Sequence, residues 1–299
     1  MARTSPADRT VVAHELLDAG QGRRLDRFGS IVVDRPFPGV ERLQKRDPAA
    51  WRAADARFER AAEGPLVHAG WTTADGEPIE PWTIDAEGLT IELRLAASGQ
   101  VGFFPEQGAN RAWLRERIGG AADIPPTILN LFAYTGASTL IAASAGGAVT
   151  HVDGARPNVA WARRNAELNG LAERPIRWIA DDAPAFAARE ARRGRRYTGI
   201  VLDPPSYGHG PGGREWRLER DLPGLLATSA ALLEDGPRAF LILTAHSTGL
   251  ESDELEGWLA DALSASRDGA VEVEPMTLSA ASGAWLSLGW SARWAAASA

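Results

Sequence analysis

The sequence predicts an α/β protein: a doubly wound sheet of seven strands ending in an antiparallel hairpin, with a small β-rich domain before it. Three observations carry that reading. From about residue 128 onward, short apolar runs alternate with helical stretches, the pattern of a mostly parallel sheet with helices on both faces. The last two runs have only Ala281-Ser282-Gly283 between them, so they form a hairpin and the final strand runs antiparallel to its neighbour. Residues 1–100 show a different pattern, with alternating apolar residues between Gly- and Asp-containing turns. The expected domains are therefore 1–100, small and β-rich, and 101–299, the large α/β domain.

The elements follow in order. In the first region, "HELLDAGQGRRLDRFGSIVVDRP" and "EPWTIDAEGLTIELRLAASGQVGFF" read as short antiparallel strands, and 47–64 between them reads as a helix. In the second, "TILNLFAY" (127–134) is the first strand and 138–147 a helix stopped by Gly146-Gly147. Strand two is 148–153, followed by a helix over 156–170 with Pro157 in its first turn. Strand three (175–182), a helix (183–193) and strand four (198–205) come next, then a helix (222–236) and strand five (238–245). A helix over 252–266 and the hairpin strands 270–280 and 284–294 complete the chain. The near-continuous apolar runs are what strands covered on both faces require.

Composition narrows the function. Hydrophobic residues make up 44% and charged residues 24% of the 299, as in an ordinary globular protein. No apolar run approaches the roughly 18 residues of a membrane helix, and "MARTSPADRT" has no apolar core for a signal peptide, so a cytoplasmic protein is expected. Cysteine is absent, which excludes disulfides, thiolate metal sites and cysteine nucleophiles. The five histidines show no metal-ligand spacing, and no metal is expected. A net charge of −7 does not advertise a nucleic-acid binder. Two basic clusters, Arg23, Arg24 and Arg27, and Arg192, Arg193, Arg195 and Arg196, are either solvated surface or a local patch for RNA.

Ligands of an open α/β sheet sit beyond the carboxyl ends of its strands. Acids occupy three of those ends: Asp153 after strand two, Asp181 and Asp182 after strand three, and Asp203 after strand four. A carboxylate after strand two suits the two hydroxyls of a ribose, and one after strand three suits the exocyclic amine of adenine. Neither suits a pyrophosphate, which carboxylates repel. The turn "NLFAYTGASTL" (130–140) carries one late glycine, Gly136, where a dinucleotide loop carries two or three. Phe132 and Tyr134 stand in the earlier places as candidate ligand-packing aromatics, with plain core as the competing reading of Phe132. Asp153 has a competing reading as a helix cap. Of Asp181 and Asp182, one is expected to cap the next helix and the other, chosen as Asp182, to meet the ligand.

These motifs resemble those of class I S-adenosylmethionine-dependent methyltransferases, in particular the large-subunit ribosomal RNA methyltransferase family. The resemblance rests on N-x-F-x-Y-T-G at Asn130 to Gly136, Val152-Asp153, and Asp203-Pro204-Pro205-Ser206-Tyr207. It also rests on the glutamine-containing "VGFFPEQGANR" (101–111), and it covers roughly 101–299. It implies a Rossmann-like methyltransferase sheet and S-adenosylmethionine as cofactor. It places against that cofactor Asn130, Phe132, Tyr134, Thr135, Gly136, Ala137 and Ser138 of the first turn. Asp153, Gly154 and Ala155 follow, then Asp181, Asp182 and Ala183, and finally Asp203. By the same carry-over Phe104 and Gln107 lie near the cofactor or serve in packing.

The implied chemistry is methyl transfer, with Asp203, Pro204, Ser206 and Tyr207 as the catalytic set. In such sites acting on nitrogen, the carboxylate and first proline carbonyl accept bonds from the target amine, and Tyr207 stacks on a planar substrate. The competing reading of Asp-Pro-Pro is a strand-ending turn. Some relatives methylate carbon 5 of cytosine through a cysteine after strand five. Here the stretch is "TAHS" (244–247), so that route is closed and His246 is either a substrate contact or base, or a packed residue. "GHGPGGREW" (208–216) reads as a lid or an inert loop. Ribosomal RNA is the expected partner. The alternatives are a small-molecule N- or O-methyltransferase and a non-catalytic RNA-binding or assembly factor. A NAD-dependent dehydrogenase is disfavoured by the missing G-x-G-x-x-G and the terminal hairpin.

Overall fold

The computed structural model describes residues 12–60, 70–119, 124–209, 215–246, 249–263 and 267–297. The chain forms two compact units, residues 1–102 with 278–286, and residues 103–277 with 287–299. The tip of the C-terminal hairpin thus groups with the first unit, although continuity of the apolar pattern had assigned it to the second.

In the first unit, β1 (His14–Gly20), β2 (Arg23–Phe28) and β3 (Ile31–Pro36) form an antiparallel meander. Gln21 and Gly22, at φ +54° and +72°, make the tight turn between β1 and β2, whose left-handed pair matches the twist of the strands. A helix was expected over 47–64. Helix α1 covers only Pro48–Arg52, and β4 (Ala56–Glu59) follows at once. The reason lies in the pairing available. The Asp55 carboxylate accepts the Val32 amide at 2.7 Å, and Ala56 and Phe58 alternate inward with Arg57 outward, a period of two. β4 runs parallel to β3 and antiparallel to β5 (Gly70–Thr73), giving the sheet order β1-β2-β3-β4-β5. Residues 61–64 of the expected helix lie outside the described residues. A separate hairpin joins β6 (Trp82–Ala86) and β7 (Leu89–Leu93).

Three carboxylates of this unit, Asp18, Asp26 and Asp34, are fully buried, and each is matched by donors. Asp18 accepts from Trp51 Nε1 at 2.8 Å, the Arg46 amide at 2.7 Å and Ser282 Oγ at 3.1 Å. Asp26 takes Arg24 at 2.6 Å, Arg35 at 2.9 Å and His14 at 2.8 Å. Burial alone would raise the Asp26 pKa, but the Arg24 and Arg35 guanidiniums hold it well below the usual carboxylate range. Asp34 takes Arg23 and Arg57. The cluster read as surface or an RNA patch is therefore largely internal: Arg24 is buried on Asp26, Arg23 bridges Asp34, Glu59 and the Phe58 carbonyl, and Arg27 lies 3.6 Å from Glu15.

The second unit begins with a 3₁₀ turn (Pro105–Gln107) that runs into α2 (Gly108–Ile118), a helix the sequence analysis did not anticipate. β8 (Thr127–Leu131), α3 (Ala137–Ser144), β9 (Ala148–Asp153), α4 (Arg156–Leu168), β10 (Ile176–Ala180), α5 (Ala183–Arg192) and β11 (Gly199–Leu202) follow. A short ladder joins β12 (Tyr207–His209) and β13 (Glu215–Arg217). Then come α6 (Leu218–Leu232), β14 (Phe240–Ala245), α7 (Ser252–Leu263) and the hairpin strands β15 (Gly269–Ser279) and β16 (Trp285–Ala296). The seven-stranded sheet has the order β10-β9-β8-β11-β14-β16-β15, and β16 pairs antiparallel with β14. β8 to β11 and β14 are parallel, and all but the edge strand β10 are almost wholly buried. This is the doubly wound sheet with terminal hairpin that the alternation predicts. Helix α6 starts four residues earlier than expected, with Pro223 inside it. Of the expected lid, 208–209 and 215–216 belong to the β12–β13 ladder, and 210–214 lie outside the described residues.

Candidate active site

The sheet order places the chemistry. β8 is flanked by β9 and β11, and the direction of winding switches there, so the ends of β10, β9, β8, β11 and β14 form one row. Along that row stand Asp182, Asp153, the Phe132–Gly136 turn, Asp203 and His246. Adjacent strands lie about 4.8 Å apart, so Asp153 and Asp203 are separated by about 10 Å along the row. That span suits an extended nucleoside ligand.

β8 stops at Leu131, earlier than the sequence suggested, because the chain turns sharply. Phe132 and Tyr134 both adopt left-handed backbone, at φ +58° and +47°, and Gly136 follows at +88°. Bulky residues in that conformation cost on the order of 1–3 kcal/mol each, and the surroundings must hold them. They do so by three means. The Tyr134 amide donates to Asp153 Oδ2 at 2.9 Å. The Tyr134 ring lies between Phe104 (5.4 Å) and Trp161 (6.1 Å), and the Phe132 ring packs on Trp216 at 5.4 Å. At Gly136 a Cβ would come within 3.0 Å of Ala162 Cβ on α4, so glycine is needed for the close approach as well as for its φ. The aromatic residues that replace glycines are thus structural members of the turn, and Phe132 also contacts the core.

Asp153 is buried and does several things at once. Its Oδ1 accepts the Ala155 amide at 2.9 Å and Asn158 Nδ2 at 3.0 Å, steadying the start of α4, while Oδ2 holds the Tyr134 amide. Gly154 and Ala155 beside it are exposed. After β10 the two acids divide differently from a simple cap-or-ligand choice. Asp182, chosen as the ligand, is the cap: its Oδ1 accepts the Ala185 amide at 2.9 Å, and Ala183 beneath it is buried. Asp181 accepts the Asp182 amide at 2.8 Å and pairs with Arg189. Asn130 is buried behind the turn. Its amide donates to Thr139 Oγ1 at 2.9 Å, which in turn meets His151 Nδ1 at 2.9 Å, so Asn130 braces α3 rather than facing the row of strand ends. Thr135 is likewise buried, its carbonyl held by Asn165 Nδ2 at 3.0 Å. Ala137 and Ser138 open α3, whose cap at Gly136 makes no side-chain hydrogen bond.

The Asp203-Pro204-Pro205 run lies just past β11, which ends at Leu202. The ladder behind it fixes its shape: Trp216 Nε1 donates to the Pro205 carbonyl at 2.7 Å, and the Leu218 amide to the Ser206 carbonyl at 3.0 Å. Tyr207 is 55% exposed, and the Arg217 guanidinium lies over its ring at 5.9 Å. Asp203 Oδ1 accepts Thr244 Oγ1 and His246 Nε2, the latter at 3.0 Å. Burial alone would raise the Asp203 pKa; the His246 charge and hydrogen bond, Thr244 and Arg111 outweigh it and hold the carboxyl below its usual range. Burial alone would lower the His246 pKa, but Asp203, then Glu106 and the Leu288 carbonyl, push it up to about 9. His246 is therefore charged at neutral pH, which the scattered positions of the histidines gave no means of seeing.

Two neighbours from the 3₁₀ turn complete the site. Gln107 is buried; its Oε1 accepts Asn110 Nδ2 at 2.9 Å, while its buried Nε2 has no partner among the described residues. Glu106 Oε2 is likewise buried without a partner. Phe104 joins the turn through Tyr134, and Arg111, nearly fully buried, donates to the Phe104 carbonyl at 3.1 Å and lies over the Phe103 ring. Glu106, Arg111, Thr244 and Trp216 were not singled out in the sequence. The first two sit inside "VGFFPEQGANR", and their distance in the chain from Asp203 hides the meeting. Among the described residues no group of three His, Asp or Glu is placed to hold a metal ion, and no helix is long and apolar enough to cross a membrane.

The row of acids beyond a doubly wound sheet, the late-glycine turn and the terminal hairpin define a class of enzyme that binds an adenosine-bearing methyl donor. Comparison with known proteins states the family. The model of the S-adenosylmethionine-dependent methyltransferases matches residues 40–238, and the chain belongs to that family, whose cofactor is S-adenosylmethionine. The chain is similar to the solved SAM-dependent methyltransferase of Agrobacterium tumefaciens, at 33% identity and TM-score 0.85, covering 99% of this chain and 97% of that one. It is 30% identical over 199 residues to ribosomal RNA large subunit methyltransferase I of Pseudoalteromonas translucida, covering 66% of this chain and 46% of that protein. It is 38% identical over 128 residues to ribosomal RNA large subunit methyltransferase K/L of Methylococcus capsulatus, covering 42% of this chain and 17% of that protein. The chain thus spans less than half the length of either of these curated relatives.

Proposed function

We propose that this chain transfers a methyl group from S-adenosylmethionine to a base nitrogen of ribosomal RNA. The residues present fit the cofactor on two observations: the buried, unpartnered Gln107 Nε2 beside the turn, and the Gly136 cradle that a Cβ would fill. In this reading Asp182 and Ala183 receive the adenine, and Asp153, with Gly154 and Ala155, receives the ribose hydroxyls. The Phe132–Gly136 turn, Ala137, Ser138 and Gln107 receive the methionine portion, and the uncapped start of α3 favours its carboxylate. Phe104 and Tyr134 offer ring faces beside the sulfonium, worth about 0.5–2 kcal/mol. When bound, the cofactor supplies an electrophilic methyl group on a cationic sulfur.

The chain's own part is alignment. Asp203 and the Pro204 carbonyl accept the hydrogens of an amino nitrogen and so aim its lone pair, and Ser206 and Tyr207 border the acceptor. Such positioning can supply about 7–11 kcal/mol of the barrier. The single observation that carries the choice of a base is the exposed Tyr207 ring with Arg217 over it, next to Asp203: a face for stacking beside a cation, as single-stranded RNA contacts require. The names of the curated relatives support ribosomal RNA over a small metabolite, and that substrate would put the chain in the cytoplasm. The test is mass spectrometry of ribosomal RNA from a strain lacking the gene, followed by restoration of the mark in vitro with purified protein and labelled S-adenosylmethionine. One missing N-methyl mark that the protein restores is expected; an unchanged set of marks would refute the RNA assignment.

A further inference from the structure

The position after β14 holds His246, and its surroundings decide its protonation without reference to any titration. Nδ1 lies 2.9 Å from the Leu288 carbonyl, which can only accept, so Nδ1 carries a proton. Nε2 lies 3.0 Å from the Asp203 carboxylate, which also accepts, so Nε2 carries one as well. A ring with donors required on both sides is an imidazolium. The approach of Leu288 is built into the backbone. Gly289 sits at φ +102°, and a Cβ there would lie 2.0 Å from the Ala245 carbonyl oxygen, so only glycine lets β16 pass this close to His246.

Asp203 shows the complementary pattern. Both of its hydrogen bonds, from His246 Nε2 and Thr244 Oγ1, fall on Oδ1, and among the described residues none falls on Oδ2. We propose that His246 is a positioning residue, a permanent cation that with Thr244 clamps Oδ1 of Asp203 and leaves Oδ2 presented to the methyl acceptor. The proposal rests on the reading of Asp203 as the residue that receives the acceptor. It also sets the acceptor's chemistry. His246 has no lone pair with which to take a proton, and the donors on Asp203 lower its pKa and make its carboxylate a weak base. The site thus favours a nitrogen that attacks with its own lone pair, and sheds its proton to solvent after the methyl has moved, over a hydroxyl that must first be deprotonated. The charged groups around His246 are Asp203 after β11, Glu106 of the 3₁₀ turn, and, acting on Asp203, Arg111 of α2. Their balance favours the cation, in accord with the rise of the His246 pKa to about 9.

The experiment is a pH titration of the imidazole nitrogens by NMR in the full-length protein labelled with ¹⁵N-histidine, with His246→Gln identifying the signal. At pH 7.5 both nitrogens are expected at imidazolium shifts, with a midpoint near 9, and Asp203→Asn is expected to lower that midpoint by at least one unit, a tenfold change in proton affinity. One bare nitrogen in the wild type at pH 7.5, or a midpoint unmoved by Asp203→Asn, would overturn the proposal. The kinetic arm uses ribosomal RNA from the strain lacking the gene: His246→Ala is expected to lower kcat at least tenfold with KM for S-adenosylmethionine unchanged. A raised KM with kcat intact would overturn it. The NMR arm needs no RNA, so an imidazolium in a protein that leaves RNA unmethylated refutes only the substrate reading, and a methylated RNA with a neutral His246 refutes only the clamp.

Discussion

The two units of this chain use buried carboxylates in opposite ways. In the small unit Asp18, Asp26 and Asp34 are each matched by partners from their own surroundings, two of them by pairs of arginines. These groups act as polar cross-braces between strands. In the large unit Asp153 is held through both oxygens by backbone and amide donors, Asp203 is held through Oδ1 alone, and Glu106 and Gln107 beside them carry buried atoms with no partner among the described residues. Buried polar atoms left unsatisfied cost roughly 1–3 kcal/mol apiece, a cost that a bound ligand removes. Burial of an acid therefore does not by itself mark a site.

Substitutions can break this contrast, and the largest effect is expected in the small unit. Asp26→Ala leaves Arg24 and Arg35 buried without their counter-charge and should cost about 3–5 kcal/mol in urea unfolding, while affinity for S-adenosylhomocysteine per folded molecule stays the same. Loss of affinity without loss of stability would place Asp26 in a site. Next comes Asp203→Asn, which should lower kcat about 100–1,000-fold, the scale for losing one electrostatic partner of the transition state, and should lower the melting temperature at neutral pH because His246 loses its counter-charge. Asp153→Asn should weaken S-adenosylhomocysteine by about 10–100-fold in calorimetry, as expected for a charged hydrogen-bond acceptor worth about 1.5–3 kcal/mol. An unchanged Kd would make Asp153 a brace like those of the small unit.

The smallest effect sharpens the comparison within the large unit, between buried His151 and half-buried His246. Burial, then the nearby Arg163 charge, lower the His151 pKa to about 3, so it stays neutral where His246 stays charged. The unfolded chain takes up the His151 proton at its ordinary pKa near 6.5. Its contribution to stability is thus fully present above pH 6.5 and falls toward pH 3, by up to about 1.4 kcal/mol per pH unit. The His246 contribution has the opposite sense, present below pH 6.5 and lost as pH rises through about 9. Denaturation curves of His151→Gln should lose part of the acid slope and keep the alkaline one; an unaltered acid limb would show that His151 is not the neutral group described.

Strand and helix alternation made the large unit legible, and it ordered the acids correctly because parallel strands must end on one edge. The alternation failed at 47–64, where "ARFE" follows a helix-forming run and pairing with β3 on one side and β5 on the other overrides local propensity. It also failed to show that Phe132 and Tyr134 adopt left-handed backbone, since nothing in an aromatic residue announces a positive φ. The two arginine-rich patterns looked alike as charge runs. Only the partners met in the fold, Asp34 for Arg23 and Asp26 for Arg24, reveal that these two are internal while Arg192, Arg193, Arg195 and Arg196 sit exposed at the end of α5. The His246–Asp203 pair was hidden for the same reason, being 43 residues apart.

The roles of these residues depend most on where the methyl donor lies along the row of strand ends, and a crystal structure of the protein with S-adenosylhomocysteine measures that directly. It should show the ribose hydroxyls on Asp153, the adenine beside Asp182 and Ala183, and the sulfur facing Asp203 and Pro204. A product seated elsewhere, or an Asp153 carboxylate turned from the sugar, would contradict it.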